Sequence, residues 1–262
     1  MNATRMIQCA LLALPAGAAS AADSPWNGTW KLDSAKSQLT GQTFSYTQRP
    51  NGMLHYEDGS TTSYDFGLDG KEYKTWTNRT STWTAAGNNA WDRVIRIDGK
   101  VTAKGHIVLS ADGKTLTETY TGTRPDGQEF HEEDVYSRMS GTDGLAGTWR
   151  AAKVTGPTGP QTFIISSPAA GVLRYEIPDM KVSVEAHLDG TEYAVSGPEV
   201  PPGMTISFKR ISAKSIRYTM KVNGKTDNMG VQTIARDGAS FRDVNWNAQR
   251  ENEKTTAIYV KQ

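Results

Sequence analysis

An internal repeat limits the fold of this chain more than any other feature of its sequence. Gly28-Thr29-Trp30 returns as Gly147-Thr148-Trp149, LHYE returns as LRYE, and LDGKEY returns as LDGTEY, in the same order and with small changes in spacing. A constant order of motifs indicates a duplicated domain, because each copy must build the same unit. We therefore expect two domains, at residues 23–140 and 141–262, joined in the Gly- and Ser-rich stretch SRMSGTDG.

Within each half, the local pattern is that of antiparallel strands joined by tight turns. Asp-Gly and Asn-Gly pairs recur along the chain and supply the positive φ that hairpin turns require. Between them the residues alternate, as in TLTETYT, where Leu116, Glu118 and Tyr120 share one face. No stretch after the N-terminal segment keeps a helical period. The sequence predicts an all-β protein made of two tandem antiparallel meander β-barrels with about eight strands each.

Each half begins with Gly-x-Trp and ends with a strand that carries an aromatic and a basic residue. This arrangement resembles the calycin superfamily, which includes lipocalins, fatty-acid-binding proteins and avidins. The resemblance covers the two ends of each half. It implies that the tryptophan closes one end of its barrel beneath a basic side chain of the last strand, which would pair Trp30 with Arg138 and Trp149 with Lys261. It also implies that the barrel holds an apolar small molecule.

The sequence departs from the calycins at the residues that define particular ligands. Fatty-acid-binding proteins hold a carboxylate with Arg-x-Tyr on the last strand, but the two halves read Asp134-Val135-Tyr136 and Ala257-Ile258-Tyr259 there. The second half also has too few tryptophans for the aromatic cage of an avidin. The resemblance therefore implies a ligand class and does not identify a ligand.

The N-terminal segment, residues 1–22, predicts secretion. One arginine precedes an apolar run that is too short to span a bilayer, and the segment ends in Ala-Ser-Ala-Ala, small residues of the kind that signal peptidases recognise. We expect a signal peptide and a secreted or periplasmic mature protein. Cleavage would remove the one cysteine, Cys9, so the mature chain would have neither disulfides nor thiolate metal sites.

Charge and motif content narrow the classes of partner. Acidic and basic residues nearly balance, 28 against 29, and neither sign forms a block, so we expect no nucleic-acid partner. No later segment is apolar enough to predict membrane insertion. Metalloprotease, hydrolase and phosphate-loop motifs are absent from the sequence, and we expect no cofactor and no metal site. The pattern does not indicate an oligomeric state.

The first half is the better candidate for ligand binding because it is richer in aromatic residues. Such residues beside a few polar groups line many apolar pockets, although the same rings also fill small barrels. The candidate ligand-binding residues are Tyr56, Tyr64, Trp76, Trp83, Trp91, Arg93, Arg96 and Tyr120.

Glu118 is the candidate catalytic residue. It lies on the apolar face of its predicted strand, and the repeat places Asp243 at the matching position of the second half. If that face points inward, each barrel holds a carboxylate that must be paired or protonated, and Arg93 or Arg96 is a possible partner for Glu118. An acid on a solvated face, or a structural ion pair, is the alternative.

Three functions remain open from the sequence. We expect a binding protein for an apolar small molecule held in a β-barrel. The first alternative is a cofactor-free isomerase, hydratase or lyase that uses Glu118 as an acid or base. The second is a structural or interaction module of the cell envelope, with plugged barrels.

Overall fold

The computed structural model describes residues 24–76, 78–155 and 159–262; the predicted signal peptide lies outside these residues. The described chain is all-β, as predicted. Its other regular elements are two single-turn 3-10 helices, at Ser34–Lys36 and Pro178–Met180. Among the described residues, we find no helix with the length and apolar content needed to cross a membrane.

The strands form two nearly closed antiparallel sheets of ten strands each, which we call the first and second barrels. The first barrel contains β2 (Thr43–Gln48), β3 (Leu54–Glu57), β4 (Ser63–Phe66), β5 (Asp69–Lys74), β6 (Arg79–Gly87), β7 (Ala90–Ile97), β8 (Lys100–Leu109), β9 (Thr115–Thr123), β10 (Glu129–Ser140) and β11 (Gly147–Val154). The second barrel contains β1 (Gly28–Leu32), β12 (Thr162–Ser166), β13 (Val172–Ile177), β14 (Val182–His187), β15 (Asp189–Ala194), β16 (Met204–Ser212), β17 (Ser215–Val222), β18 (Lys225–Ile234), β19 (Ser240–Asn247) and β20 (Thr255–Lys261).

The barrels have more strands than the predicted eight, and the Asp-Gly pairs explain part of the difference. Asp98-Gly99 and Asn223-Gly224 have positive φ at both residues, as a two-residue hairpin turn requires. Asp69-Gly70 and Asp189-Gly190 instead begin β5 and β15. At these two pairs the chain bends from one strand into the next without a hairpin loop. An Asp-Gly pair there does not separate the two strands in the sequence pattern, so one strand in each barrel was not predicted.

The first strands of the two repeats are exchanged between the barrels. β1 pairs with β12 and β20, whereas β11, the second copy of the Gly-Thr-Trp strand, pairs with β2 and β10. The first barrel is therefore continuous in sequence from β2 to β11. The second barrel is completed by a strand from the N-terminal end of the chain, which ties the two barrels together.

The exchange makes the predicted Trp–cation pairs wrong in their partners, although the type of contact is the one expected. Lys261 Nζ lies 5.1 Å from the ring centre of Trp30, and the Arg138 guanidinium lies 4.1 Å from that of Trp149. Each indole donates a hydrogen bond to the carbonyl oxygen four residues earlier in the chain, at 2.9 Å. Because both strands read Gly-Thr-Trp, the sequence does not distinguish the two pairings.

Direct contacts also fix the barrels against each other. The loop between β3 and β4 reaches the second barrel, where Asp227 accepts hydrogen bonds from the Thr61 amide, at 2.8 Å, and from the Thr61 hydroxyl. Asn247 Nδ2 donates to the Asp58 carbonyl oxygen at 2.8 Å. Nearby, the Glu253 carboxylate accepts from the Thr43 amide at 2.7 Å. The mouth of the first barrel at this loop is thereby held against β18, β19 and the loop that follows them.

Candidate functional site

The strand registers identify equivalent positions in the two barrels. Arg93 lies opposite Gly105 in the first barrel, as Tyr218 lies opposite Gly230 in the second. In each case the glycine leaves room for an aromatic ring, since a Cβ at Gly105 would collide with Tyr120 and one at Gly230 would collide with Tyr218. The two glycines therefore let these rings lie directly against the central strands of both barrels.

The two acids that the repeat matched both point into their barrels. Glu118 and Asp243 are each 7% exposed, so the alternative of a solvated face is wrong for both. The alternation along the strands is the reason, because each acid shares its face with buried apolar residues such as Leu116 and Phe241.

The first barrel has a cavity of about 360 Å³ that brings together six of the nine candidate residues. These six are Tyr56, Tyr64, Trp76, Arg93, Glu118 and Tyr120.

The other three candidates, Trp83, Trp91 and Arg96, do not line this cavity. Trp83 is fully buried and stacks on Phe66, with the ring centres 4.9 Å apart. Trp91 belongs to the same buried core. Arg96 Nη1 lies 3.6 Å from the carboxylate of Glu72 and is not the partner of Glu118.

Arg93 is the central cation of the first cavity. Its Nη1 donates to the Tyr120 hydroxyl at 3.1 Å and its Nη2 donates to the Tyr64 hydroxyl at 3.0 Å, while its guanidinium lies 4.9 Å from the ring centre of Trp83. Burial raises the pKa of the Tyr64 phenol, so this ring stays neutral at physiological pH. Within the described part of the chain, no carboxylate lies within 4 Å of Arg93.

Glu118 shares the cavity with Arg93 without forming a close ion pair. Burial raises the pKa of Glu118 to about 7, although the charge of Arg93 and a hydrogen bond from Tyr120 lower it and Asp134 raises it further. Its Oε1 is buried and has no hydrogen-bond partner. A carboxyl group in this state can donate or accept a proton near neutral pH.

The second barrel has the larger cavity, about 490 Å³, and its wall is mainly apolar. Phe163, Val184, Ile206, Phe208 and Met220 are among the side chains that line it.

A polar cluster lies on one side of this second cavity. Asp243 accepts hydrogen bonds from the Tyr218 hydroxyl at 3.2 Å and from Gln232 Nε2 at 3.4 Å, and the Tyr175 hydroxyl donates to Gln232 Oε1 at 2.9 Å. Burial raises the pKa of Asp243 to about 7, against the lowering effect of the bonds from Gln232 and Tyr218.

Smaller side chains explain why the second barrel is the roomier one. The strand register places Ala186 where the first barrel has Phe66, and Val184 where it has Tyr64. The first barrel uses its additional aromatic rings to fill its interior. A comparison of SYDF with SVEA at the matched positions would have revealed this difference in side-chain size. The total aromatic content instead favoured the first half as the ligand-binding half.

The described residues contain no cluster of three or more histidine, cysteine, aspartate or glutamate side chains placed to hold a metal ion. No protein-family model matches the sequence, and no curated protein matches it either. The resemblance to calycins therefore stays an expectation from the paired Gly-Thr-Trp motifs, and the structure adds two nearly closed antiparallel sheets.

Proposed function

We propose that this protein is a secreted or periplasmic, calycin-like binding protein that holds an apolar small molecule in the cavity of its second barrel. The single observation that supports this function best is the apolar cavity of about 490 Å³ inside that barrel. Sites for small molecules are typically concave, have volumes of roughly 300–1,000 Å³ and combine an apolar wall with a few polar groups.

The polar cluster indicates what the ligand can carry. Asp243, Gln232 and Tyr218 lie together on one side of a wall that is mainly apolar. A protonated Asp243 can donate a hydrogen bond to a ligand oxygen, and its ionised form can accept one from a hydroxyl group. An apolar molecule with one hydroxyl or carbonyl group suits this arrangement.

A neutral fluorescent dye, N-phenyl-1-naphthylamine, tests the proposal with a matched pair of variants. Met220 and Ile95 occupy equivalent register positions, and each lines the cavity of its own barrel. We expect Met220→Trp to narrow the second cavity and weaken saturable dye binding. We expect Ile95→Trp, which narrows the first cavity with the same introduced side chain, to bind the dye as the wild type does.

Circular dichroism and melting curves of both variants check that each barrel remains folded. Loss of dye binding in Ile95→Trp with retention in Met220→Trp would assign the site to the first barrel instead. A wild-type protein that takes up no dye would contradict the proposal altogether.

A cofactor-free isomerase, hydratase or lyase is the second candidate function, supported by Glu118 in the first cavity. An acid with a pKa of about 7 beside a fixed cation is suited to proton transfer at neutral pH, since Arg93 can stabilise negative charge that develops on a substrate. The test is turnover of any substrate found for the protein by Glu118→Gln. Unchanged turnover would exclude Glu118 as the acid or base.

A further inference from the structure

A hydrogen-bonded group of three side chains lies on the β3–β4 hairpin of the first barrel. His55 Nδ1 lies 2.6 Å from Asp65 Oδ1, and His55 Nε2 lies 3.1 Å from the Ser63 hydroxyl oxygen. His55 belongs to β3, Ser63 and Asp65 belong to β4, and the strand register pairs His55 directly with Asp65. The histidine therefore joins an acid on one side to a hydroxyl group on the other.

The alternation of the strands places this group on the outside of the barrel. Tyr56 and Tyr64 lie on the same two strands and line the first cavity, so their neighbours His55, Ser63 and Asp65 point the opposite way. Ser63 and Asp65 are exposed, and His55 is partly buried. A small molecule in solution can therefore reach the Ser63 hydroxyl without entering either barrel.

The carboxylate fixes the position of the proton on the histidine. The hydrogen bond with His55 holds the pKa of Asp65 below its usual value, and Arg49, whose Nε lies 3.4 Å from the same oxygen, lowers it further. An ionised carboxylate only accepts hydrogen bonds, so Nδ1 of His55 carries a proton and donates to it. In a neutral imidazole Nε2 is then an acceptor, and the Ser63 hydroxyl donates to it. In this arrangement a histidine can remove the proton of a serine.

A surface groove of about 410 Å³ lies on the same outer face. Thr47 and Glu57 line it, and these residues are the cross-strand partners of His55 and Ser63. The Glu57 carboxylate also lies 3.5 Å from Arg250 Nη2. The groove offers room for a small substrate beside Ser63, and the charge of Glu57 favours a neutral substrate over an anionic one.

We propose that Ser63, His55 and Asp65 form a nucleophilic triad that hydrolyses small, neutral, activated esters on the outer surface of the first barrel. Such a triad is defined by the geometry and roles of its members and not by their order in the sequence, so it does not require a hydrolase motif. The activity is separate from the binding of a ligand inside a barrel.

The reaction has two steps. In the first, the Ser63 oxygen attacks the carbonyl carbon of the ester and its proton passes to His55 Nε2; the bond to the alcohol oxygen then breaks, and the histidine gives its proton to the departing alcohol. In the second, His55 takes a proton from water, and the water oxygen attacks the acyl carbon. The bond to Ser63 breaks, the carboxylic acid is released, and the proton returns to the serine. Asp65 acts through His55 and is a positioning residue.

Hydrolysis of p-nitrophenyl acetate at neutral pH tests the triad. We expect Ser63→Ala and His55→Ala each to lower kcat/KM about a hundredfold, the lower end of what positioned acid–base groups contribute. The double variant should be no slower than either single variant, because the two groups act as a unit. Asp65→Asn should lower kcat with KM unchanged, and Asp65→Glu should recover part of the loss, which a purely structural contact would not do.

A second measurement needs no variant. Diisopropyl fluorophosphate should modify the wild type at Ser63, where the serine oxygen bonds to phosphorus, fluoride leaves and His55 takes the proton; peptide mass spectrometry locates the adduct. Modification that is absent from Ser63 would overturn the proposal.

His106→Ala is the matched control. His106 Nδ1 lies 2.7 Å from Asp92 Oδ1 on an exposed part of β7 and β8, but within the described ranges of the chain no hydroxyl group bonds to this histidine. The variant should keep the wild-type rate. A loss as large as that of His55→Ala, or turnover by Ser63→Ala at the wild-type rate, would overturn the proposal. These outcomes do not affect the dye-binding test of the second barrel, so the proposed function stands or falls separately.

Discussion

Replacing Asp243 with asparagine should change how the stability of the protein depends on pH. In the folded chain the pKa of Asp243 is raised from 3.8 to about 7 because the carboxyl group is buried. The folded state therefore binds a proton more tightly than the unfolded state does. The free energy of unfolding must fall as the pH rises from about 4 to about 7, and must level off above that range.

The size of the effect follows from the shift in pKa. Each unit corresponds to about 1.4 kcal/mol, so the ionised form of Asp243 costs the folded state about 4 kcal/mol at alkaline pH. Asparagine has nearly the same shape, can accept the hydrogen bond from Tyr218 and carries no charge. Asp243→Asn should therefore gain stability relative to the wild type as the pH rises, and this gain should approach that magnitude.

Urea unfolding of the wild type and of Asp243→Asn, at a series of pH values from about 4 to about 9, measures this difference directly. Asp237→Asn, in the exposed turn before β19, controls for the loss of one carboxylate. Stability curves of the wild type and Asp243→Asn that run parallel across the whole pH range would refute the reasoning.

Three further predictions use other parts of the structure. Glu118→Gln should also gain stability relative to the wild type as the pH rises, because the pKa of Glu118 is likewise raised to about 7. If this gain disappeared in a double variant that also carries Asp243→Asn, the two acids would not be independent. Arg138→Gln should lower the free energy of unfolding by about 2–4 kcal/mol. The reason is that the guanidinium covers Trp149 and donates to the carbonyl oxygens of Gly113, Gly144 and Ala146. A loss below about 1 kcal/mol, measured by urea unfolding, would contradict this. Deletion of residues 24–33 should remove hydrogen-exchange protection from β12 and β20, and loss confined to β2 and β10 would instead mean that the strands are not exchanged.

The fold class was predictable because it depends on patterns within short stretches of chain. Alternation of period two in TLTETYT placed Glu118 and Leu116 on one face, and both are buried. The repeated motifs placed Asp243 at the position that matches Glu118, so an inward face in one half implied an inward face in the other. Such deductions need only one strand or one pair of matched strands.

The exchange of the first strands could not be predicted from the same information. Gly-Thr-Trp is identical in the two copies, so Trp30 and Trp149 make equivalent contacts in either barrel. Which copy pairs with which barrel depends on the path of the connecting chain, and residue patterns do not encode that path locally.

The size of each cavity could not be predicted from the residue types either. It depends on the summed volumes of side chains that meet across several strands, as where Ala186 replaces Phe66. The rich set of rings in the first half pointed to a binding site there, but many of those rings pack against one another, as Tyr56 and Tyr64 do at 5.0 Å.

Native mass spectrometry of the protein purified from its own source, followed by denaturing release of bound material, tests the central claim most directly. The wild type and Met220→Trp are compared side by side, since Met220 lines the second cavity. The account predicts one apolar small molecule bound to each wild-type chain and a lower occupancy in the variant, whose second cavity is narrower. Retention of the same molecule by Met220→Trp, at the wild-type stoichiometry, would contradict the assignment of the site to the second barrel.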